Sequence, residues 1–574
     1  MMKTRHLKKK IVPILSATYF FLMTIIFTWP LSKQIMTHNA GGYGDNLYFI
    51  WQIEWIKRAV FELNTMPLTS NLLNFPYGYS LLTTEISPLQ ISFALPFALM
   101  GEPILGYNIS IMSTFFLAGL TMFFWVYAMT KSWQASLISG TAFAFLPYHS
   151  AHFLIGHLNL TGIQWFPLYF WGFSAILTNE HFTWKHVLLL SAGISAIALT
   201  SQYYIYMTLI VSVIILVIYL YFFAKEKFLS NEMWKQFLLA GVISVPFLII
   251  GIGPYLYFHG GRGSTRNMEG ALMFSASITD FLLPFTKQVL LGKWVWRNFP
   301  RDLWNEATLY LGLPVTILSI VGWLHREAIG MKKIFQIFLI GGITACVLAF
   351  GTNLTWMEEV VWINLPEWIS AIVNKERSMV YLPGYLLYKY VPFYSIMRVW
   401  MRYGIFVMVF NCVAAGIGAH WLLTRVKYRW KTLLGLTILS LVLLDFFNTP
   451  FSTTEIKPRE VDLWLAEQPY GGLVQLPFEQ SLIEENFYYT LYHHKPLMGA
   501  VRAFPSDRFL YLVSALNNFP DQKSVEALRT EQITYVVVDE NEILVTDAAL
   551  IDAANLGLKY EGSFTGQSVF IIDY

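Results

Sequence analysis

The sequence predicts a mainly α-helical, polytopic membrane protein of about eleven spans, with interfacial helices in a long first external loop and a small external α/β domain at the C-terminal end. Three observations predict it: an apolar composition, a succession of apolar runs near spanning length, and the placement of Lys and Arg between those runs. The 574 residues are 55% hydrophobic and 13% charged, with a mean hydropathy of +0.49, too apolar for a soluble chain of this length. The formal net charge of +3 is small, so charge is informative only through where the cations sit. Cys346 and Cys412 both fall inside apolar runs, which argues against a disulfide framework. No phosphate-binding glycine loop or dinucleotide fingerprint occurs. No nucleotide cofactor is therefore expected, and neither nucleotide-driven pumping nor nucleic-acid binding has a basis in the sequence.

The chain opens on Lys3, Arg5 and Lys8 to Lys10, followed by the apolar run Ile11 to Pro30. A signal peptide begins this way, but the run has the length of a full span and no small-residue cleavage site follows, so it reads as a retained helix with its basic end inside. Further runs occupy 105–128, 133–150, 158–178, 186–201, 203–223, 236–258, 307–324, 334–351, 403–424 and 431–447. In hydrocarbon each must be helical to satisfy its own backbone. If they alternate, the inward connections hold Lys131, Lys185, Lys225 with Lys227, Arg326 with Lys332 and Lys333, and Arg425 with Lys427, Arg429 and Lys431, so every connection on that side is basic. The run Ile86 to Met100 is broken by Pro88 and Pro96. Counting it as a span would turn the basic loops outward, so it reads as a re-entrant or interfacial helix. The expected location is a cell membrane, with the N-terminus cytoplasmic and the C-terminal domain extracytoplasmic. Residues 1–450 form the membrane part and 451–574 the external domain.

The first external loop, 31–104, is long, as functional loops are. In it Phe49, Ile53, Ile56, Val60 and Leu63 share one helical face while Glu54, Arg58 and Glu62 line another, the pattern of a helix lying in the membrane interface. Loops 259–306 and 352–402 also fall outside, the second rich in Trp, Tyr and Pro. After Pro450 the apolar runs shorten, and Gly472 to Leu476, Thr534 to Val538 and Ser568 to Ile572 read as strands between charged helical stretches.

Candidate chemistry gathers at the external span ends. Asp45 follows Gly41-Gly42-Tyr43-Gly44 and precedes the amphipathic stretch. It reads either as a helix cap or as a carboxylate presented to deprotonate a hydroxyl or bind a metal ion. His149, His152 and His157 lie within nine residues of the turn between the third and fourth spans. Their spacing matches no tight zinc motif, leaving substrate contact, a divalent metal or interfacial anchoring open. Arg398 and Arg402 are spaced i, i+4 at the outer mouth of the tenth span, which on a helix aims both guanidiniums one way and suits a phosphate. Glu306, Gln202 and Tyr203 are further span-end candidates for substrate contact; Asp280 and Arg262 are weaker, and Asp445 is assigned no role.

The order of short strings is more specific than any one of them. Gly44-Asp45-Asn46, Asn74-Phe75-Pro76-Tyr77-Gly78, Gly106-Tyr107-Asn108, Phe143-Ala144-Phe145-Leu146-Pro147, Gly156-His157-Leu158, Glu306 with Leu309-Tyr310-Leu311-Gly312, and Arg398 with Arg402 follow one another along most of the chain. In that order, with one span, a long acidic-headed loop, many spans and an external domain, the chain resembles a bacterial branch of the GT-C superfamily of integral-membrane glycosyltransferases. It is distantly similar to protein O-mannosyltransferases and aminoarabinose transferases. The resemblance implies a cell-envelope enzyme that moves a sugar from a polyprenyl-phosphate donor to a glycan, lipid or protein acceptor, with Asp45 catalytic and Arg398 and Arg402 on the donor phosphate. Those transferases often carry another acid in the second external loop, where this chain has His149, His152 and His157. The rival readings are a lipid or glycolipid flippase without transferase activity, and a membrane anchor for the external domain.

Overall fold

The computed structural model of the chain describes residues 2–260, 268, 272–478, 483–499 and 507–573. Each of the eleven predicted runs contains a helix: α1 (Met2–Phe27), then, after α2 (Asp45–Lys57) and α3 (Pro88–Leu99) of the first loop, α4 (Pro103–Thr130) and α5 (Trp133–Ala144). Beyond α6 (Pro147–Leu154) come α7 (Phe166–Thr178), α8 (Trp184–Thr200), α9 (Gln202–Phe223), α10 (Asn231–Gly260), α11 (Leu313–Leu324), α12 (Lys332–Ala349), α13 (Gly404–Arg425) and α14 (Tyr428–Phe446). Among the described residues, five helical stretches are long and apolar enough to cross a membrane: α4, α9, α12, and residues 231–258 and 400–425.

Three runs are shorter as helices than the sequence predicts. The run 133–150 stops at Ala144 and restarts at Pro147 as α6, because proline cannot donate into the preceding turn and favours the first helical position. The runs 158–178 and 307–324 become helical only from Phe166 and Leu313. All three losses fall at the same end of the bundle, and the chain they release builds the site described below.

The helices pack in a bundle, α11 along α13, α4 along α3 and α5, and α8 along α7 and α10. Small residues set the closest approach: a Cβ at Gly418 of α13 would stand 1.9 Å from the carbonyl oxygen of Leu318 on α11, a backbone contact that only glycine permits.

The first loop is tied to the C-terminal region. Strand β1 (His38–Ala40) pairs antiparallel with β2 (Thr453–Glu455). A four-stranded sheet then uses β3 (Gly472–Leu476), β4 (Ile533–Asp539), β5 (Leu558–Phe564) and β6 (Gln567–Ile572) in the order β5-β6-β4-β3, with β3 parallel to β4 and the other pairs antiparallel. The three predicted strands are present, and β5 is an addition. On one face Val474, Val536, Val538 and Phe570 build a separate core with Leu512 and Leu528. On the other, Leu473, Tyr535, Val537 and Val569 join the core of the rest of the molecule.

Helix α15 (Ile483–His493) docks against α2. Phe487 meets the rings of Tyr48, Trp51 and Tyr79 at 6.0, 6.3 and 6.1 Å, and Trp51 Nε1 donates to Thr490 Oγ1 at 3.0 Å. The expectation of a surface-lying helix over Phe49 to Leu63 is thereby corrected. Residues Asn46 to Ile53 are all buried, and apolar side chains are exposed only from the π-turn Arg58–Glu62 onward, at Val60, Phe61 and Leu63. Protein covers Phe49 and Ile53 of the expected apolar face, while Val60 and Leu63 at its far end stay exposed.

Candidate functional site

Two irregular segments meet where the shortened helices end. One is the glycine loop 41–44 leading into α2; the other is the turn 155–165 after α6. Gly41 has φ +70°, and a Cβ there would stand 2.0 Å from the carbonyl oxygen of Leu154. Gly156 has φ +79°, and its Cβ would stand 2.5 Å from the amide nitrogen of Asn46. Glycine thus meets two demands at each position, a left-handed backbone and backbone-to-backbone approach. Strand β2 fixes the other side of the loop: Gly41 N donates to Ser452 O at 2.8 Å, Thr454 Oγ1 donates to Gly41 O at 2.7 Å, and Tyr43 Oη donates to Glu455 O at 2.7 Å.

Gly44 occupies the cap position of α2 and Asp45 is its first residue, so the helix dipole favours the charged carboxylate. Asn46 Oδ1 accepts from the amides of Gly44 and Leu47 at 3.1 and 2.8 Å. Asp45 Oδ2 lies 3.1 Å from His157 Nε2. From there a continuous line of side chains enters the protein. His157 Nδ1 and His152 Nδ1 are 2.8 Å apart, His152 Nε2 lies 3.8 Å from Glu306 Oε2, and Arg402 Nη2 donates to Glu306 Oε1 at 2.6 Å. Side-chain exposure falls along it, from 30% at Asp45 through 15% at His157 to 0% at His152.

The two facing Nδ1 atoms require that one imidazole donate and the other accept. At 3.8 Å from Glu306 Oε2, His152 Nε2 makes no hydrogen bond to it, so the close contacts run from Asp45 to His152 and Glu306 acts on the pair as a nearby charge. Burial pushes the His152 pKa well below its usual value, so His152 is neutral at ordinary pH. Burial also pushes the Glu306 carboxyl up, but Arg402 and the two histidines outweigh it and hold the carboxyl at about 2. Glu306 is thus a fixed anion and Arg402 its counter-ion. His152, His157 and Glu306 each offer one ligand atom within 4.8 Å of the others, a donor set that fits a divalent metal by type. The Arg402 guanidinium already on Glu306 is its competitor.

One member of the site escaped the sequence reading. Glu85, in the first loop, is buried and accepts from Tyr203 N at 2.8 Å, Ser201 Oγ at 3.1 Å and the Asn159 side-chain amide. Burial raises its pKa, opposed by these donors and by Arg402. It joins the first loop to the histidine turn and to the start of α9. A lone carboxylate in an unpatterned loop gave no periodic signal, though its place just before the broken run Ile86 to Met100 was visible.

The remaining candidates separate. His149 stands apart from the line: its ring is stacked on Phe115 at 3.8 Å, with Nδ1 2.8 Å from Ala144 O and Nε2 2.8 Å from Thr114 Oγ1. Arg398 and Arg402 share no helix, which corrects the i, i+4 expectation. Arg398 lies in irregular chain between two 3-10 turns, Tyr394–Ile396 and Trp400–Tyr403. It is exposed, its guanidinium 4.7 Å from the Phe274 ring centroid, whereas Arg402 turns inward with its guanidinium 4.9 Å from the Tyr203 ring. Gln202 Nε2 donates to Ile86 O and Gly251 O at 3.1 and 2.7 Å, tying the first loop to α10. Asp280 pairs with Arg301, Asp445 accepts from Leu313 N at 3.0 Å at the start of α11, and Arg262 lies outside the described residues.

The family model described as a domain of unknown function, DUF6311, matches residues 58–447. The chain belongs to the DUF6311 family. The matched stretch of this DUF6311 chain contains His152, His157, Glu306 and Arg402 and begins after Asp45. At the sequence level no curated protein matches it. Among solved structures it resembles the mycobacterial arabinofuranosyltransferase AftD, with a TM-score of 0.58 and 11% identity over 98% of this chain and 40% of that one. The chain thus spans less than half the length of AftD. It also resembles the apo oligosaccharyltransferase of Archaeoglobus fulgidus, with a TM-score of 0.51 and 11% identity over 98% of this chain and 74% of that one. The GT-C resemblance read from the sequence is therefore shown, as a likeness of fold across nearly the whole chain.

Proposed function

We propose that the chain is a glycosyltransferase that moves a sugar from a polyprenyl-phosphate-linked donor to an acceptor on the extracytoplasmic face of a membrane. In this reading residues 1–450 are the membrane part and 451–574 the external domain, with the basic connections on the cytoplasmic side. The observation that carries it is the line from half-exposed Asp45 through His157 and His152 to the buried Glu306–Arg402 pair. The acceptor hydroxyl oxygen attacks the anomeric carbon and the bond from that carbon to the phosphate oxygen breaks. The hydroxyl proton passes to Asp45, and polyprenyl phosphate leaves. His157 steadies Asp45 and shares the arriving proton with His152.

Arg398, exposed with its guanidinium over the Phe274 ring, is placed at the leaving phosphate, and Arg402 holds Glu306. Next to Arg398 a shallow groove is lined by Tyr203, Tyr206, Phe393 and Met397, an apolar surface suited to part of a prenyl chain. A divalent metal at His152, His157 and Glu306 would supply Lewis-acid stabilisation of the phosphate oxygens.

The test is reconstitution of the purified full chain with polyprenyl-phosphate sugars and glycan, lipid or protein acceptors, following release of polyprenyl phosphate. Asp45→Asn is expected to lower release by a factor of about 10²–10⁴, the range of a general base. Equal release by both proteins refutes Asp45 as the base. Donor moved between leaflets with no sugar transferred replaces the transferase with a flippase.

A further inference from the structure

A second cleft lies between α11, α12 and α13, away from the Asp45 line. It is lined by Ile320 and Trp323 of α11, Phe335, Leu339 and Cys346 of α12, and Val407 of α13, and has a volume of about 350 Å³. A Cβ at Gly342, on its wall, would meet nothing within 4 Å. From Phe335 to Cys346 the cleft follows α12 for about 16 Å at 1.5 Å per residue. That is close to the hydrocarbon depth of a single leaflet, about 15 Å.

Its two ends differ in charge. At the Trp323 end the Arg326 guanidinium sits 4.1 Å from the Trp323 ring and donates to Trp323 O at 2.7 Å. Lys332 and Lys333 open α12 just before Phe335. Beside them His325 stacks on Trp421 at 3.6 Å, with Arg425 5.3 Å from the same ring. One acid beside the cluster, Glu327, is paired with Lys332 at 2.9 Å, and Arg326, Lys333 and Arg425 keep the cluster cationic. None of the residues lining the cleft itself is charged, Ser319 and Asn411 being its polar ones, so the cations flank the cleft beyond Trp323 and Phe335.

We propose that this cleft binds one anionic phospholipid, its phosphate held by Arg326 and Lys333 beside Trp323 and an acyl chain laid along α12 toward Cys346. A cationic rim over an apolar channel one leaflet deep matches an anionic head group with its chain. Neither a soluble anion nor an uncharged lipid uses both parts. The inference rests on the membrane-spanning bundle and is independent of the transferase reading.

The test uses the purified full chain in neutral detergent. Binding and thermal midpoint are measured with phosphatidylglycerol, with phosphatidylcholine of the same acyl chains, and with glycerol 3-phosphate. Phosphatidylglycerol is expected to bind and raise the midpoint, phosphatidylcholine to bind at least about fivefold more weakly, and glycerol 3-phosphate to leave the midpoint unchanged. Gly342→Trp fills the channel and is expected to abolish the phosphatidylglycerol effect, its lipid-free midpoint reporting whether it folds. Arg326→Gln with Lys333→Gln leaves the channel open and is expected to weaken phosphatidylglycerol about fivefold for each charge removed. Equal binding of the two lipids, protection by glycerol 3-phosphate alone, or undiminished phosphatidylglycerol binding by the charge variant overturns the proposal.

Discussion

Arg402 meets Glu306 at 2.6 Å, and Arg301 meets Asp280 at 2.9 Å and Glu358 at 3.0 Å, so two buried guanidiniums each bind carboxylates from loops between the apolar helices. The Arg301 network closes on itself. Asp280 also accepts from Ser277 N at 2.8 Å and Glu358 from Leu303 N at 3.3 Å, and the network's most exposed member, Glu358, reaches 17% against 30% at Asp45. The Arg402 network continues through two histidines to a carboxylate that solvent reaches. A buried ion pair alone fixes loops against one another. It becomes chemically useful where titratable groups connect it to an accessible one.

The largest expected effect tests that distinction directly. Asp45→Asn, at the open end, is expected to remove transfer activity and leave the thermal midpoint near wild type; a destabilised but active protein would reverse the contrast. Next come Arg402→Met and Arg301→Met, each stranding buried carboxylates and expected to cost about 3–5 kcal/mol in unfolding free energy. Removing each network whole separates them. Arg301→Met with Asp280→Asn and Glu358→Gln is expected to recover much of the stability and keep transfer, while Arg402→Met with Glu306→Gln recovers stability without transfer. Recovery of transfer in the second set would make Arg402 and Glu306 purely structural.

Smaller effects come from the histidines, where legibility in the sequence also divides. His157→Gln is expected to slow transfer by about 10–10², measured at saturating donor. His149→Phe keeps the stack on Phe115 and is expected to leave transfer unchanged while costing about 1–3 kcal/mol for its hydrogen bonds. His149 and His152 lie three residues apart on one helix, and nothing in their spacing tells a satisfied core residue from a member of the line. What differs is supplied by Thr114 and Glu306, far away in sequence. The apolar runs and three of the strands were legible because periodicity and hydropathy are local. The ends of the line, Asp45 and Arg402, were legible as polar residues at span ends. Their connection was not, since His157 and Glu306 are joined only by folding. The burial of α2 was illegible for the same reason: an amphipathic face looks alike whether lipid or Phe487 covers it.

The finest distinction is the sign of the acid response. Glu306 is held at about 2, below its ordinary 4.5. The stabilisation it gives is complete above pH 4.5 and lost as the pH falls toward 2, where the unfolded chain takes up a proton that the folded chain refuses. Asp280 is pushed up to about 6 from 3.8 by burial, which Glu358 reinforces and Arg301 opposes. Between pH 6 and 3.8 the folded chain therefore binds the extra proton, and this group adds stability as the pH falls. Relative to wild type, Asp280→Asn is expected to lose a gain in thermal midpoint between pH 6 and 4, and Glu306→Gln to lose a decline below pH 4.5. Midpoints of the three proteins across that range, in one detergent, check both. Parallel curves would mean that neither carboxylate titrates differently on folding, and the contrast between a closed network and an open one would then rest on geometry alone.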